Sequence, residues 1–228
     1  MTVRVLSAGA TKGLVGALQA GFTESSGEAV AGSFSAVGAI RERFLSGEAC
    51  DVLILTATQL AALATDGQVE YVAAIGTVRT AVAVPAGHAV PEVSSGAAFA
   101  TAIRAASAVF MPDPYQSTAG IHVRGVFDTL GLAAVVGAKL RAFANGETAM
   151  RELSQARLAG SIGTTQVTEI RYTPGLTLVG PLPPEFDLAT VYAAAVSAVA
   201  VNKDAARALV ALLTGAQSAA LRRESGFE

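Results

Sequence analysis

The sequence predicts an α/β protein made of two doubly wound α/β lobes, joined by two crossing segments and enclosing a ligand cleft. Three observations predict it. Short apolar, β-branched runs alternate with amphipathic, alanine-rich segments along the 228 residues, the pattern of a doubly wound sheet. Hydrophobic residues make up 52% of the chain and charged residues only 15%, as suits parallel strands covered on both faces. The long apolar run Val78 to Val84, ended by Pro85, leads into a second alternating series, and Val191 to Val201 leads back to the first. Leaving a lobe and returning makes two lobes, here residues 1–80 with 187–228, and residues 81–186. The cleft between them is the expected ligand site, and hinge closure the expected motion.

Thr2 to Leu6 reads as the first strand, Ser7 to Thr11 as a small-residue turn, and Leu14, Val15, Leu18 and Phe22 as the apolar face of a helix. Glu28 to Phe34 is a second strand. A helix with Val37, Ile40, Phe44 and Leu45 follows, ended by Gly47. Asp51 to Leu55 is a third strand and Thr58 to Ala64 a short helix. In the second lobe, helices are expected over 97–106, 121–130 and 147–156, and strands over 108–111, 139–143, 161–164 and 176–179. Proline residues 181, 183 and 184 precede the return strand. Asn202 is a good N-cap for one last helix carrying Leu209, Val210, Leu213 and Leu221.

Residues 112 to 131 form the stretch around which the chain is organised. Pro112 and Pro114 bracket Asp113 and break any helix. Ser117, Thr118, Ala119 and Gly120 are small, and Ile121, Val123, Val126, Phe127 and Leu130 then recur at helical spacing, so a helix begins near Ser117 or Thr118. A strand, a small-residue turn and a helix N-terminus make an anion site, because free N–H groups and the helix dipole point the same way. An ordinary capped βα loop would look the same.

Composition narrows the function. A formal net charge of -2, without basic runs, argues against nucleic acid or an anionic membrane surface as partner. The single cysteine, Cys50, excludes an intrachain disulfide framework, and with only His88 and His122 no metal site is expected. No residue pattern calls for a cofactor. Met1 leads directly into the first strand without an export signal, and Leu188 to Asn202 is too short for a membrane span. The chain as written is therefore expected to be cytoplasmic, and periplasmic if a signal peptide was removed.

Several marks in order resemble the type 2 periplasmic binding proteins, and among them the molybdate-binding family, which includes aconitate isomerase-like members. They are the opening strand and turn, Ser46-Gly47 followed by Asp51-Val52-Leu53-Ile54, Asp113-Pro114 with Ala119-Gly120, Tyr192, and the ending Ser225-Gly226-Phe227. The resemblance spans nearly the whole chain and implies a small-anion cleft between two lobes, with an ABC permease as partner if the chain is exported. It places the first ligand serine of molybdate binders on Ala10 and the second serine cluster on Ala36, Val37 and Gly38. A shift of one or two residues would bring in Ser7, Thr11 or Ser35. Ala119, offering its N–H, and Tyr192 match the family site. A buried oxyanion needs donors, so the lost hydroxyls point from molybdate towards an organic carboxylate.

The ligand-binding candidates are Ser7, Ala8, Gly9, Ala10, Thr11, Ser35, Ser117, Thr118, Ala119, Gln166 and Tyr192. Gln166 lies in the polar segment Gly163 to Glu169, which stands where the family places its fourth ligand loop. Two functions are carried. One is binding of a small anion, an organic (poly)carboxylate rather than molybdate. The other is cofactor-free isomerisation of an unsaturated polycarboxylate by proton transfer, with Glu169, His122, Lys12 or Tyr192 as acid/base candidates. Each has a bland counterpart: Glu169 as a solvated or salt-bridged loop residue, His122 as structural, Lys12 as a solvated charge, Tyr192 as a buried tyrosine with a hydrogen-bond partner. Arg41, Glu42 and Arg43 read as an exposed helix face, His88 as a surface turn residue, and Cys50 as a small buried hydrophobe.

Overall fold

The computed structural model describes residues 2–156 and 158–228. They form two compact units, Met1–Val78 with Thr190–Glu228, and Arg79–Ala189.

In chain order, β1 (Thr2–Ala8) leads through a 3-10 turn, Gly9–Thr11, into α1 (Lys12–Ser26). Then come β2 (Ala29–Ser35), α2 (Val37–Leu45), β3 (Val52–Thr56), α3 (Ala57–Thr65) and the long β4 (Val69–Pro85). The second unit continues with α4 (Gly96–Ala105), β5 (Val109–Pro112), α5 (Thr118–Thr129), α6 (Ala133–Gly137), β6 (Leu140–Phe143) and α7 (Gly146–Gln155). It closes with β7 (Ile162–Gln166), α8 (Val167–Tyr172) and β8 (Leu176–Pro181). The chain returns in β9 (Ala189–Ser197) and ends in α9 (Lys203–Thr214) and α10 (Ala219–Ser225).

In the first unit the strand order is β2-β1-β3-β9-β4. β1 pairs in parallel with both β2 and β3, and β9 runs antiparallel to β3. Strand β3 is buried at Val52, Leu53, Ile54 and Leu55, which is why it reads as a continuous apolar run. The connection β1-α1-β2 moves one way along the sheet and β2-α2-β3 moves back over β1. Right-handed crossovers therefore put α1 and α2 on opposite faces. α1 packs against α9 and α10.

The second unit repeats the scheme. Its order is β8-β4-β7-β5-β6, with β5 parallel to β6 and β7, and β4 antiparallel to β7 and β8. One face holds a core of Val82, Phe99, Ile103, Val123, Phe127 and Ile162, from the sheet, α4 and α5. The other holds Ala81, Ala83, Met150, Leu153 and Ile170, from the sheet, α7 and α8.

Four expectations change. β4 begins at Val69 rather than Val78. Its first part, with Tyr71 at φ 51 and Gly76 at φ 156, lacks a clean alternation. Part of its pairing comes from the distant C-terminus, where Thr77 N–H donates to Glu228 O at 3.0 Å and Glu228 N–H to Thr77 O at 2.8 Å. The last helix is two helices: α9 stops before Gly215, and Leu221 belongs to α10. Arg222 holds the break by donating to Leu213 O at 3.0 Å and Gly215 O at 2.8 Å, satisfying carbonyls at the end of α9. The short α6 has no counterpart in the sequence reading. Finally, residues 163–169 are not a loop but the end of β7 and the start of α8.

No helix of the described residues is long and apolar enough to cross a membrane. At the amino end of β3, the buried Asp51 carboxylate accepts from Arg4 Nε, Arg4 Nη2 and the N–H groups of Arg4 and Val201, each at 2.9 Å. Burial alone would raise its pKa, but the Arg4 guanidinium and the two N–H donors outweigh it and hold the carboxyl below the ordinary range.

Candidate functional site

In each unit the parallel strands deliver their carboxyl ends to one edge, where loops and helix N-termini gather, the place at which doubly wound sheets bind ligands.

In the first unit that edge carries the turn after β1, the turn after β2 and the start of α3. Ser7, Ala8 and Thr11 are fully buried and Ala10 nearly so. The Ser7 and Thr11 hydroxyls lie 2.9 and 3.1 Å from Ala8 O and are hydrogen-bonded to each other, so one donates to the other hydroxyl and one to the carbonyl. Both are thus engaged in closing their own turn, leaving main-chain N–H groups as its donors. Gly9 and Ala10 lie in that turn and contribute backbone only. Ser35 ends β2, beside Ala8 in register. After it, Ala36 caps α2 without a side-chain bond, and Ala36 and Val37 are buried. This second turn has no hydroxyl in its helix start. Lys12, the first residue of α1, is half-buried with its Nζ 6.0 Å from the Phe34 ring centroid. Tyr192 is 2% exposed on β9, opposite Thr56. Arg41 and Glu42 are exposed, and Arg43 pairs with Glu48, so this helix face is a solvated one.

In the second unit Asp113 Oδ1 accepts from Tyr115 N–H at 2.7 Å and Gln116 N–H at 2.9 Å, shaping the turn after β5. Ser117 is the N-cap of α5 and accepts from Gly120 N–H at 3.4 Å. The N–H groups of Thr118 and Ala119, in the first turn, have no intrahelical acceptor. Gly120 is required: a Cβ there would lie 2.1 Å from Asp113 O and 2.7 Å from Pro112 O. Here the helix start meets the preceding strand backbone to backbone. The sequence places Ser117, Thr118 and Ala119 together at this turn, and so does the structure.

Gln166 ends β7 and precedes α8. It is 2% exposed, and neither its Nε2 nor its Oε1 has a hydrogen-bond partner among the described residues. The same holds for the hydroxyls of Thr80, Thr164 and Thr168. Thr80 was missed by sequence reasoning, and Thr164, within the polar segment it marked, was not named as a ligand residue. Their signal was available: Thr80 interrupts the apolar β4, and Thr164 sits in a polar strand whose five residues are all buried.

The acid/base candidates fare differently. Glu169 is no solvated loop residue: it sits in α8, 7% exposed, accepting from the Thr165 hydroxyl at 2.5 Å and from the N–H groups of Gln166 and Glu147. Its carboxyl serves two helix starts, closing back on the N-cap residue of α8 in the manner of a capping box and capping α7. Gly146 makes room for it, since a Cβ there would lie 1.9 Å from Glu169 Oε2. Burial pushes its pKa up to about 7, against those three donors. His122 Nε2 lies 2.7 Å from Phe186 O and is half-buried, a structural bond. His88 is not simply on the surface: it is half-buried, with Nδ1 shielded from solvent, at a cavity of about 150 Å³. The Cys50 thiol donates to Val52 O at 3.2 Å, and burial pushes its pKa up to about 12. No group of three or more His, Cys, Asp or Glu among the described residues is placed to hold a metal.

Comparison with known proteins agrees with this architecture. Residues 3–228 match the model of the bacterial extracellular solute-binding protein family. An aconitate isomerase of a Pseudomonas species is 27% identical, covering 100% of this chain and 87% of that protein. The periplasmic molybdate-binding protein of Azotobacter vinelandii superposes with a TM-score of 0.82 at 15% identity, covering 99% of this chain and 98% of that one. The sulfate-binding protein of Mycobacterium tuberculosis gives 0.76 at 16% identity, covering 100% and 86%. The fold is that of the type 2 periplasmic binding proteins, and the chain belongs to the bacterial extracellular solute-binding protein family.

Proposed function

We propose that the protein binds a small organic polycarboxylate rather than molybdate. One observation carries the reading: Ser7 and Thr11 turn their hydroxyls onto Ala8 O, and the helix start at Ala36, Val37 and Gly38 has none. A tetrahedral dianion has four oxygens to satisfy, and leaving a buried charge short of donors is costly. A polycarboxylate spreads its charge over separate planar groups, so its donors need not converge on one centre, and each group fits the N–H groups at a helix start. In the second unit, Thr118 and Ala119 supply such groups beside the Ser117 cap. In a transport setting the protein would pass its ligand to an ABC permease.

A second reading has its own support: an aconitate isomerase is similar to this chain from end to end. The same carboxylate-binding groups would then hold an unsaturated polycarboxylate while a proton is moved. The engagement of Glu169 and His122 in structural hydrogen bonds favours binding, leaving Lys12 and Tyr192 as the acid/base candidates for this reading.

A thermal-shift screen against molybdate, tungstate, sulfate, phosphate and di- and tricarboxylates tests the proposal. A ligand at a hundred times its dissociation constant adds about 2.7 kcal/mol of stability. A shift with a carboxylate supports the reading. A shift with molybdate or tungstate alone contradicts it. Following the stabilising acid by NMR separates retention from isomerisation.

A further inference from the structure

Three of the buried polar side chains left without partners among the described residues of the second unit, Thr80, Thr164 and Gln166, share one face of its sheet. Thr80 lies directly opposite Gln166 and Val82 opposite Thr164 in the β4–β7 pair, so Thr80, Val82, Thr164 and Gln166 point the same way. That way is towards α5, because Val82 and Ile162 pack with Val123, Val126 and Phe127. Height follows from geometry. From Ile162 to Gln166 the strand climbs about 13 Å. From Phe127 back to Ala119 the helix, antiparallel to the strands it connects, climbs about 12 Å. Gln166 thus reaches the level of the free N–H groups at the start of α5.

Thr80 and Thr164 are fully buried and Gln166 is 2% exposed. Three side chains place two hydroxyls, one amide donor and one amide acceptor there, all without partners among the described residues. Buried polar groups are nearly always hydrogen-bonded, and each that is not costs stability. The set is neutral and offers donors and acceptors together. A second carboxylate would meet the Gln166 carbonyl oxygen with like polarity. A hydroxyl, which donates and accepts, matches both.

We propose that Thr80, Thr164 and Gln166 form an inner, uncharged subsite that receives a hydroxyl of the ligand while the start of α5 takes a carboxylate. The inference rests on the polycarboxylate reading and adds that the protein selects hydroxylated acids over their unsubstituted counterparts.

The test uses the full chain and two matched pairs of probes, malate with succinate and citrate with tricarballylate. Titration calorimetry of the wild type is expected to show the hydroxylated member of a pair bound about tenfold or more tightly. Thr164→Val and Gln166→Met are expected to bring the pair to within about twofold, chiefly by weakening the hydroxylated acid. A ligand-free readout stands beside it. Thr80→Val and Thr164→Val remove unpartnered hydroxyls without changing shape, so Tm is expected to rise by about 2 °C or more. A fall in Tm for both valine variants would mean that the hydroxyls are satisfied within the fold, and would overturn the subsite. Equal binding of both members of each pair by the wild type would overturn the subsite but leave the polycarboxylate reading standing. Binding of none of the four acids would overturn both.

Discussion

The two units are built on one plan, yet they treat polar groups at their strand ends in opposite ways. In the first, the turn after β1 closes its hydroxyls on itself, Ser7 and Thr11 bonding each other and Ala8 O. In the second, β5-α5-β6-α7-β7 ends with Thr164 and Gln166 buried and without side-chain partners among the described residues. The same topology therefore gives one edge that is finished internally and one that is left to be completed. Topology says where a ligand can bind, and hydrogen-bond satisfaction says which groups are available to it.

The largest expected effect separates the two edges by sterics. Gly120→Ala sets a Cβ against main-chain oxygens of Pro112 and Asp113, which have little room to move, and should destabilise the protein by about 3 kcal/mol. Gly16→Ala, on α1, meets nothing within 4 Å and should stabilise by about 0.5–1 kcal/mol. Chemical denaturation of the two variants checks the contrast.

Each unit also has a buried carboxyl, and the two titrate in opposite directions. Asp51→Ala leaves the Arg4 and Val201 N–H groups without their acceptor, and about 2–3 kcal/mol of stability should be lost. Because the Asp51 pKa is depressed in the folded state, its contribution is present above the ordinary carboxylate range. It is lost as the pH falls through the folded value. Wild type should therefore lose its advantage over Asp51→Asn in strong acid. Glu169 behaves in the reverse sense. Its folded pKa of about 7 stands above the ordinary 4.5. Stability is then highest below the lower value and declines as the pH rises through the window between them. Glu169→Gln should remove that decline, so the stability difference should move in the variant's favour from pH 4.5 to 7. Urea titrations across this range measure it. A flat difference would mean that Glu169 is ionised throughout.

The smallest effect concerns the finished edge. Ser7→Ala leaves the Thr11 bond to Ala8 O intact, so it should cost about 1 kcal/mol or less.

Much of this architecture is legible in the sequence. Runs such as Val52 to Leu55, buried along their whole length, announce parallel strands, and Ser117 with the periodic residues after it announces α5. What stays hidden depends on distant partners. The first part of β4 is paired in part by Glu228, at the end of the chain, and the break before α10 is held by Arg222 reaching back to Leu213 and Gly215. The site is legible in position more than in state. Sequence places Ser7, Thr11, Gln166 and Glu169 at strand ends. It does not reveal that two hydroxyls close on Ala8, that Glu169 caps two helices, or that Gln166 is unpartnered, because each fact depends on side-chain direction. Thr80 escaped notice because its role comes from pairing with Gln166, 86 residues away along the chain.

The most direct measurement of the contrast between the edges is calorimetric titration of one hydroxylated carboxylate, malate or citrate, into the wild type, Ser7→Ala, Thr11→Val and Gln166→Met. Ser7→Ala and Thr11→Val should bind within about threefold of wild type, while Gln166→Met should lose about tenfold or more. The reverse ranking, with Gln166→Met near wild type and the hydroxyl variants crippled, would contradict this contrast.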